Sequence, residues 1–120
     1  MIKNNQAIWS PNQIIYEKGS PPDFAYLIIS GVVEFYSEKK TLLGNASINE
    51  VFGEISCYLN RPHSVTAIAK TNLVVKKIPK EEFLAIIKNA HPVIIGMLRS
   101  TFHRLAESNL QSDDYDKEIK

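Results

Sequence analysis

A chain of 120 residues with an apolar fraction of 44% has room for one packed core without disulfide or metal staples, which excludes a disordered polymer. Its 14 basic and 13 acidic residues leave a formal net charge of +1, and no Lys/Arg-rich run gives an electrostatic reason to bind nucleic acid or an anionic membrane. The single cysteine, Cys57, excludes an intramolecular disulfide, and no apolar run approaches the ~20 residues of a membrane helix.

Residues 1–9 show no charged start followed by a long apolar stretch, so no signal peptide is expected and the cytoplasm is the default address. Turn residues then punctuate the chain at short intervals: Ser10-Pro11-Asn12, Lys18-Gly19-Ser20-Pro21-Pro22-Asp23, Ser30-Gly31, Gly44-Asn45, Gly53, Asn60-Arg61-Pro62 and Lys70-Thr71-Asn72. Between them lie short segments rich in β-branched and aromatic residues, at 14–16, 25–29, 32–36, 41–43, 65–69 and 73–78. Short strands at such regular spacing predict an antiparallel sandwich or barrel over about 10–78.

The period changes at Pro79-Lys80-Glu81-Glu82, a helix start with proline in the first turn and two acids at the positive end of the dipole. Phe83, Ile86 and Ile87 follow at helical spacing, and Asn89-Ala90-His91-Pro92 breaks that helix. A second helix is predicted from about Pro92 to about Leu110, with Ile94, Met97, Leu98, Phe102 and Leu105 as its buried stripe. The polar segment from 111 to 120 is expected to fray. The expected whole is one domain over 1–120, mainly β with C-terminal helices: a jelly-roll-like barrel, then two α-helices over about 79–110.

The chemistry concentrates between Val51 and Ala67. Gly53 permits a turn or close approach that a side chain forbids. Glu54 sits beside apolar neighbours, where an unpaired carboxylate is costly and must find donors. Residues 54–59 suit a short helix whose first N–H groups face an anion, and after Asn60-Arg61-Pro62 come His63 and Ser64. The parts form an anion cradle, with the carboxylate suited to sugar hydroxyls.

The run Phe52-Gly53-Glu54-Ile55-Ser56, a short helical loop, then Pro62-His63-Ser64-Val65-Thr66, resembles the phosphate-binding cassette of cyclic-nucleotide-binding domains, such as those of bacterial cyclic-AMP-receptor-like sensors. Gln13-Ile14-Ile15-Tyr16-Glu17-Lys18-Gly19 resembles that family's opening strand and glycine turn, and the segment from Asp23 to Val33 its strand-turn-strand around Gly31. The resemblance covers about residues 10–110. It implies a double-stranded β-helix that binds cyclic AMP or cyclic GMP, with Glu54 on the ribose 2′-hydroxyl and the short helix's N–H groups on the cyclic phosphate. It further implies ligand contacts from Phe52, Gly53, Ile55, Ser56 and Ser64, and lid contacts from Arg99 and His103 of the last helix.

The family's arginine position holds His63, which has fewer donors and is cationic only below about pH 6.5 unless shifted. His63 is thus a weaker, pH-dependent phosphate contact, a contact to a different ligand, or a relic in an empty site; Arg61 is a second source of charge. Two functions follow: a regulatory sensor for a cyclic nucleotide or related anionic small molecule, or a degenerate, ligand-free scaffold acting through protein–protein contacts. In either, no cofactor, metal or nucleic-acid partner is expected, the protein partner is unknown, and the C-terminal helix offers a route to a homodimer. A cupin-type enzyme would need clustered histidines beside a carboxylate, and Cys57, His63, His91 and His103 match no ligand spacing, so an enzyme is not expected.

Overall fold

A computed structural model describes residues 5–119 of the chain, with the burial of side chains described through residue 105 and at Glu107. Among these residues the elements run β1 (Gln6–Trp9), β2 (Ile14–Tyr16), β3 (Phe24–Ser30), β4 (Val33–Tyr36), β5 (Leu42–Ala46), β6 (Val51–Phe52), α1 (Glu54–Leu59), β7 (Thr66–Ala69), β8 (Leu73–Pro79), α2 (Lys80–Lys88) and α3 (Pro92–Ile119). The strands form two four-stranded antiparallel sheets, ordered β1-β8-β3-β6 and β2-β7-β4-β5. This is the mainly β, jelly-roll-like architecture with C-terminal helices that the punctuation predicts.

Alternation along the strands sends one face of each sheet inward. Tyr26 and Ile28 of β3, Val33 of β4, Ala67 and Ala69 of β7, and Leu73 and Val75 of β8 meet between the sheets. The small residues Ala67 and Ala69 leave room for the large rings opposite.

Two strands lie outside the predicted segments. β1 starts at Gln6, ahead of the expected opening near residue 10, and pairs with β8 through Gln6↔Lys76 to Trp9↔Leu73. β6 is two residues long and holds to β3 through Tyr26↔Phe52 and Leu27↔Val51.

The helices also depart from expectation. On α2, Ile87 is buried, Phe83 is half-buried and Ile86 stays exposed. On α3 the inward line is Ile95, Leu98 and Phe102, while Ile94, Met97 and Leu105 of the expected stripe face outward. The choice is made by α1: Phe102 packs on Tyr58 with ring centroids 4.8 Å apart, and that contact fixes the rotation of α3. α3 also continues to Ile119, through the segment expected to fray, because extending an existing helix costs far less than starting one. Its first turn is capped by His91, whose Nδ1 accepts the Val93 N–H at 3.1 Å.

Gly31 links β3 to β4 with φ of 103°, and a Cβ there would stand 2.9 Å from the Leu73 Cα. A side chain would be strained both by the left-handed backbone and by that contact. Gly31→Ala is expected to lower unfolding free energy by about 2–4 kcal/mol, read as a lower urea midpoint at unchanged m-value.

Candidate functional site

The site is assembled from β6 forward. Phe52 is buried and stacks on Tyr26 with centroids 4.8 Å apart and planes 12° from parallel. Gly53 then turns the chain with φ of 78°, and a Cβ there would lie 3.1 Å from the Tyr26 ring. Glycine therefore serves both the left-handed turn and the close approach to Tyr26. That turn delivers Glu54 as the first residue of α1.

At its other end α1 stops at Asn60, whose φ of 54° is left-handed. The Arg61 N–H donates to the Ser56 carbonyl at 3.0 Å, and the Lys80 ammonium donates to the Asn60 Oδ1 at 2.9 Å. The chain then returns to the barrel at His63. Its N–H donates to the Ser20 carbonyl at 2.9 Å, and its carbonyl accepts from the Gly19 N–H at 2.8 Å. The Thr66 hydroxyl accepts the Lys18 N–H at 3.0 Å, so three bonds tie the glycine turn to the segment entering β7.

These segments bound a cavity of about 550 Å³, within the range of small-molecule sites. Phe52, Gly53, Glu54, Ile55, Ser56, His63 and Ser64 all line it, so the structure brings the cassette residues together. Arg99 and His103 are exposed on α3 and lie outside the lining, as does the exposed Arg61. The wall also includes residues that sequence reasoning missed: Tyr16, Phe35, Leu43, Asn45, Glu50 and Val65. Phe35 pairs with Gly44, and the register shift between Phe35 and Tyr36 leaves Leu43 without a ladder partner, so strict alternation offers no signal that places Phe35 and Leu43 on one wall.

His63 does not present a charge to this cavity. It is 3% exposed and its ring lies flat on Tyr16, with centroids 3.6 Å apart and planes 9° from parallel. Burial pushes its pKa down to about 4, against a weaker opposing pull from Asp23, so the ring is neutral at physiological pH.

Glu54 is half-buried, and burial pushes its carboxyl up to about 7, moderated by a bond from its own backbone N–H. Among the described residues no side chain pairs with it. Among the described residues neither lysine nor arginine lines the cavity. Cys57 is fully buried and burial raises its thiol to about 11, which leaves it an unreactive packing residue.

A family model for the cyclic nucleotide-binding domain matches residues 8–90. The chain belongs to the cyclic nucleotide-binding domain family. It is 27% identical over 115 residues to the cAMP-dependent protein kinase regulatory subunit of Candida albicans, covering 96% of this chain and 22% of that one. It is also 27% identical over 101 residues to patatin-like phospholipase domain-containing protein 6 of Pongo abelii, covering 81% of this chain and 7% of that one. Among solved structures, the cGMP-bound form of the EAL enzyme Bd1971 superposes with a TM-score of 0.78 at 25% identity, over 95% of this chain and 32% of that one. The chain thus spans less than a third of the length of each of these relatives. Among the described residues no helix is long and apolar enough to cross a membrane.

The two shifted groups act on stability with opposite signs. Glu54 titrates near 4.5 unfolded and near 7 folded, so the stability it contributes is complete below pH 4.5 and is lost as pH rises to 7. His63 titrates near 6.5 unfolded and near 4 folded, so its contribution is complete above pH 6.5 and is lost as pH falls to 4. Between 4.5 and 6.5 the two slopes offset. Glu54→Gln is expected to leave stability rising with pH from 4 to 6.5, with a slope approaching about 1.4 kcal/mol per pH unit, and His63→Phe to leave it falling from 4.5 to 7. Urea titrations at half-unit pH intervals read both slopes; parallel curves for wild type and both variants would contradict the assigned shifts.

Proposed function

We propose that this chain is a regulatory small-molecule sensor domain whose cavity takes a ribose-bearing ligand of the nucleotide class. The observation that carries the reading is Glu54: a carboxylate on the wall of a cavity of about 550 Å³, partly withdrawn from water and, among the described residues, without a side-chain partner. A buried acid left without donors is costly, and paired sugar hydroxyls would satisfy it. Family membership supports the same ligand class.

On this reading the chain acts as one cytoplasmic domain, with no catalytic step, cofactor, metal or nucleic-acid partner of its own. Its signal leaves through α1. Tyr58 of α1 rests on Phe102 of α3, so a ligand seated against Glu54 biases the position of α3 and whatever binds it, a partner protein or a second copy. The alternative, a ligand-free scaffold, draws on a different observation: Val93, Ile94 and Met97 leave α3 with an exposed apolar face.

Two-dimensional NMR with adenosine, guanosine, cyclic AMP and cyclic GMP tests the reading. At least one is expected to shift the amides of Gly53, Glu54, Ser64 and Phe102, and Glu54→Ala to weaken that ligand by about tenfold or more, since a lost bond to a charged group costs ~1.5–3 kcal/mol. No response to any of the four, with a stable dimer in sedimentation, would move the assignment to the scaffold.

A further inference from the structure

We infer that the cavity selects an uncharged nucleoside over its phosphorylated forms, because among the described residues its wall carries two carboxylates, Glu50 and Glu54, and no lysine or arginine. The inference rests on the sensor reading above and specifies its ligand.

A phosphate entering this space would leave water without gaining a counter-ion. The neighbouring positive charges are engaged or exposed elsewhere, and Lys18 of the glycine turn pairs with Glu38 at 3.6 Å. His63 is neutral and covered by Tyr16. Arg61 points to solvent, outside the wall. Lys80 binds the Asn60 amide, and Arg99 is exposed on α3. α1 has only six residues, too short for its dipole to replace a guanidinium. A buried anion that lacks a partner and faces like charges is strongly disfavoured.

A nucleoside meets none of these costs. Its hydroxyls both donate and accept, so they satisfy the Glu54 carboxyl in either protonation state. Glu50, whose Oε1 accepts the Ser47 N–H at 2.7 Å, keeps the rim negative, which a neutral ligand tolerates. Phe35, Leu43 and Val65 give the wall an apolar side suited to a base.

Calorimetry at pH 7 on the intact chain decides the matter, with adenosine, guanosine, cyclic AMP and cyclic GMP titrated separately at 50 and 300 mM salt. The better nucleoside is expected to bind at least about tenfold tighter than its cyclic phosphate, with affinity independent of salt. His63→Arg is expected to narrow or invert that ratio by supplying a forked cation. His63 is buried on Tyr16 and its replacement could unfold the chain, so Asn45→Arg, at an exposed position on the same wall, provides a second test in the same direction. A cyclic nucleotide that binds wild type as tightly as its nucleoside overturns this inference and leaves the sensor reading intact. Silence from all four ligands overturns both.

Discussion

The cavity depends on one non-local contact, the flat stack of His63 on Tyr16. Tyr16 ends β2, and His63 opens the return from α1 into β7, so the stack joins two segments 47 positions apart. It continues an aromatic cluster drawn from both sheets: Tyr16 lies 5.9 Å from Tyr26 and 6.1 Å from Phe52, and Trp9 meets Tyr26 edge-on at 6.2 Å. Such pairs contribute about 0.5–1.5 kcal/mol each beyond their area. The two backbone bonds between His63 and the Gly19–Ser20 turn hold the ring in register. α1 therefore hangs between two fixed points, the Gly53 turn and His63.

That packing decides the electrostatics. A side chain that spends its face on Tyr16 and loses its proton to burial cannot also offer charge to a ligand. The cavity is consequently a place where acids gain protons: the Glu54 carboxyl is raised, and burial together with Glu54 pushes the Tyr16 hydroxyl up as well. Hydroxyls and amides suit such a site better than anions do. On the proposed reading, this chain's electrostatics favour the sugar of a nucleotide over its phosphate.

What the sequence revealed follows the range over which each feature is determined. Turn residues act over four positions, so Gly31, Gly53 and the Lys18-to-Asp23 run marked the strand ends. Phe52-Gly53-Glu54 was legible for the same reason. β6 was not, because two residues show no alternation and gain strand geometry only from Tyr26 and Leu27 across the ladder. The face of α3 was misread because Val93, Ile94, Ile95, Met97 and Leu98 are all apolar, and periodicity cannot rank such a surface. Tyr58 ranks it, and no local pattern links Tyr58 to Phe102. The role of His63 stayed open by the same logic: its position was legible, its partner Tyr16 was not.

The position of α1 links the cavity to α3. Glu54 and Tyr58 are four residues apart, so on a helix they fall on neighbouring turns of one side. One end of the six-residue helix faces the cavity and the other carries the ring that holds α3. On the proposed reading, a change at Glu54 is passed along α1 to Tyr58. The helix is also pinned beyond its end by Lys80 on Asn60, which connects it to the start of α2. A ligand that removes the cost of the half-buried carboxyl favours whichever placement of α1 brings Glu54 nearest to it. The free energy available for moving α3 is then bounded by the ligand's differential affinity for the two placements of α1, to which the contact with Glu54 contributes. On the proposed reading, the carboxylate that selects the ligand also biases the position of α3.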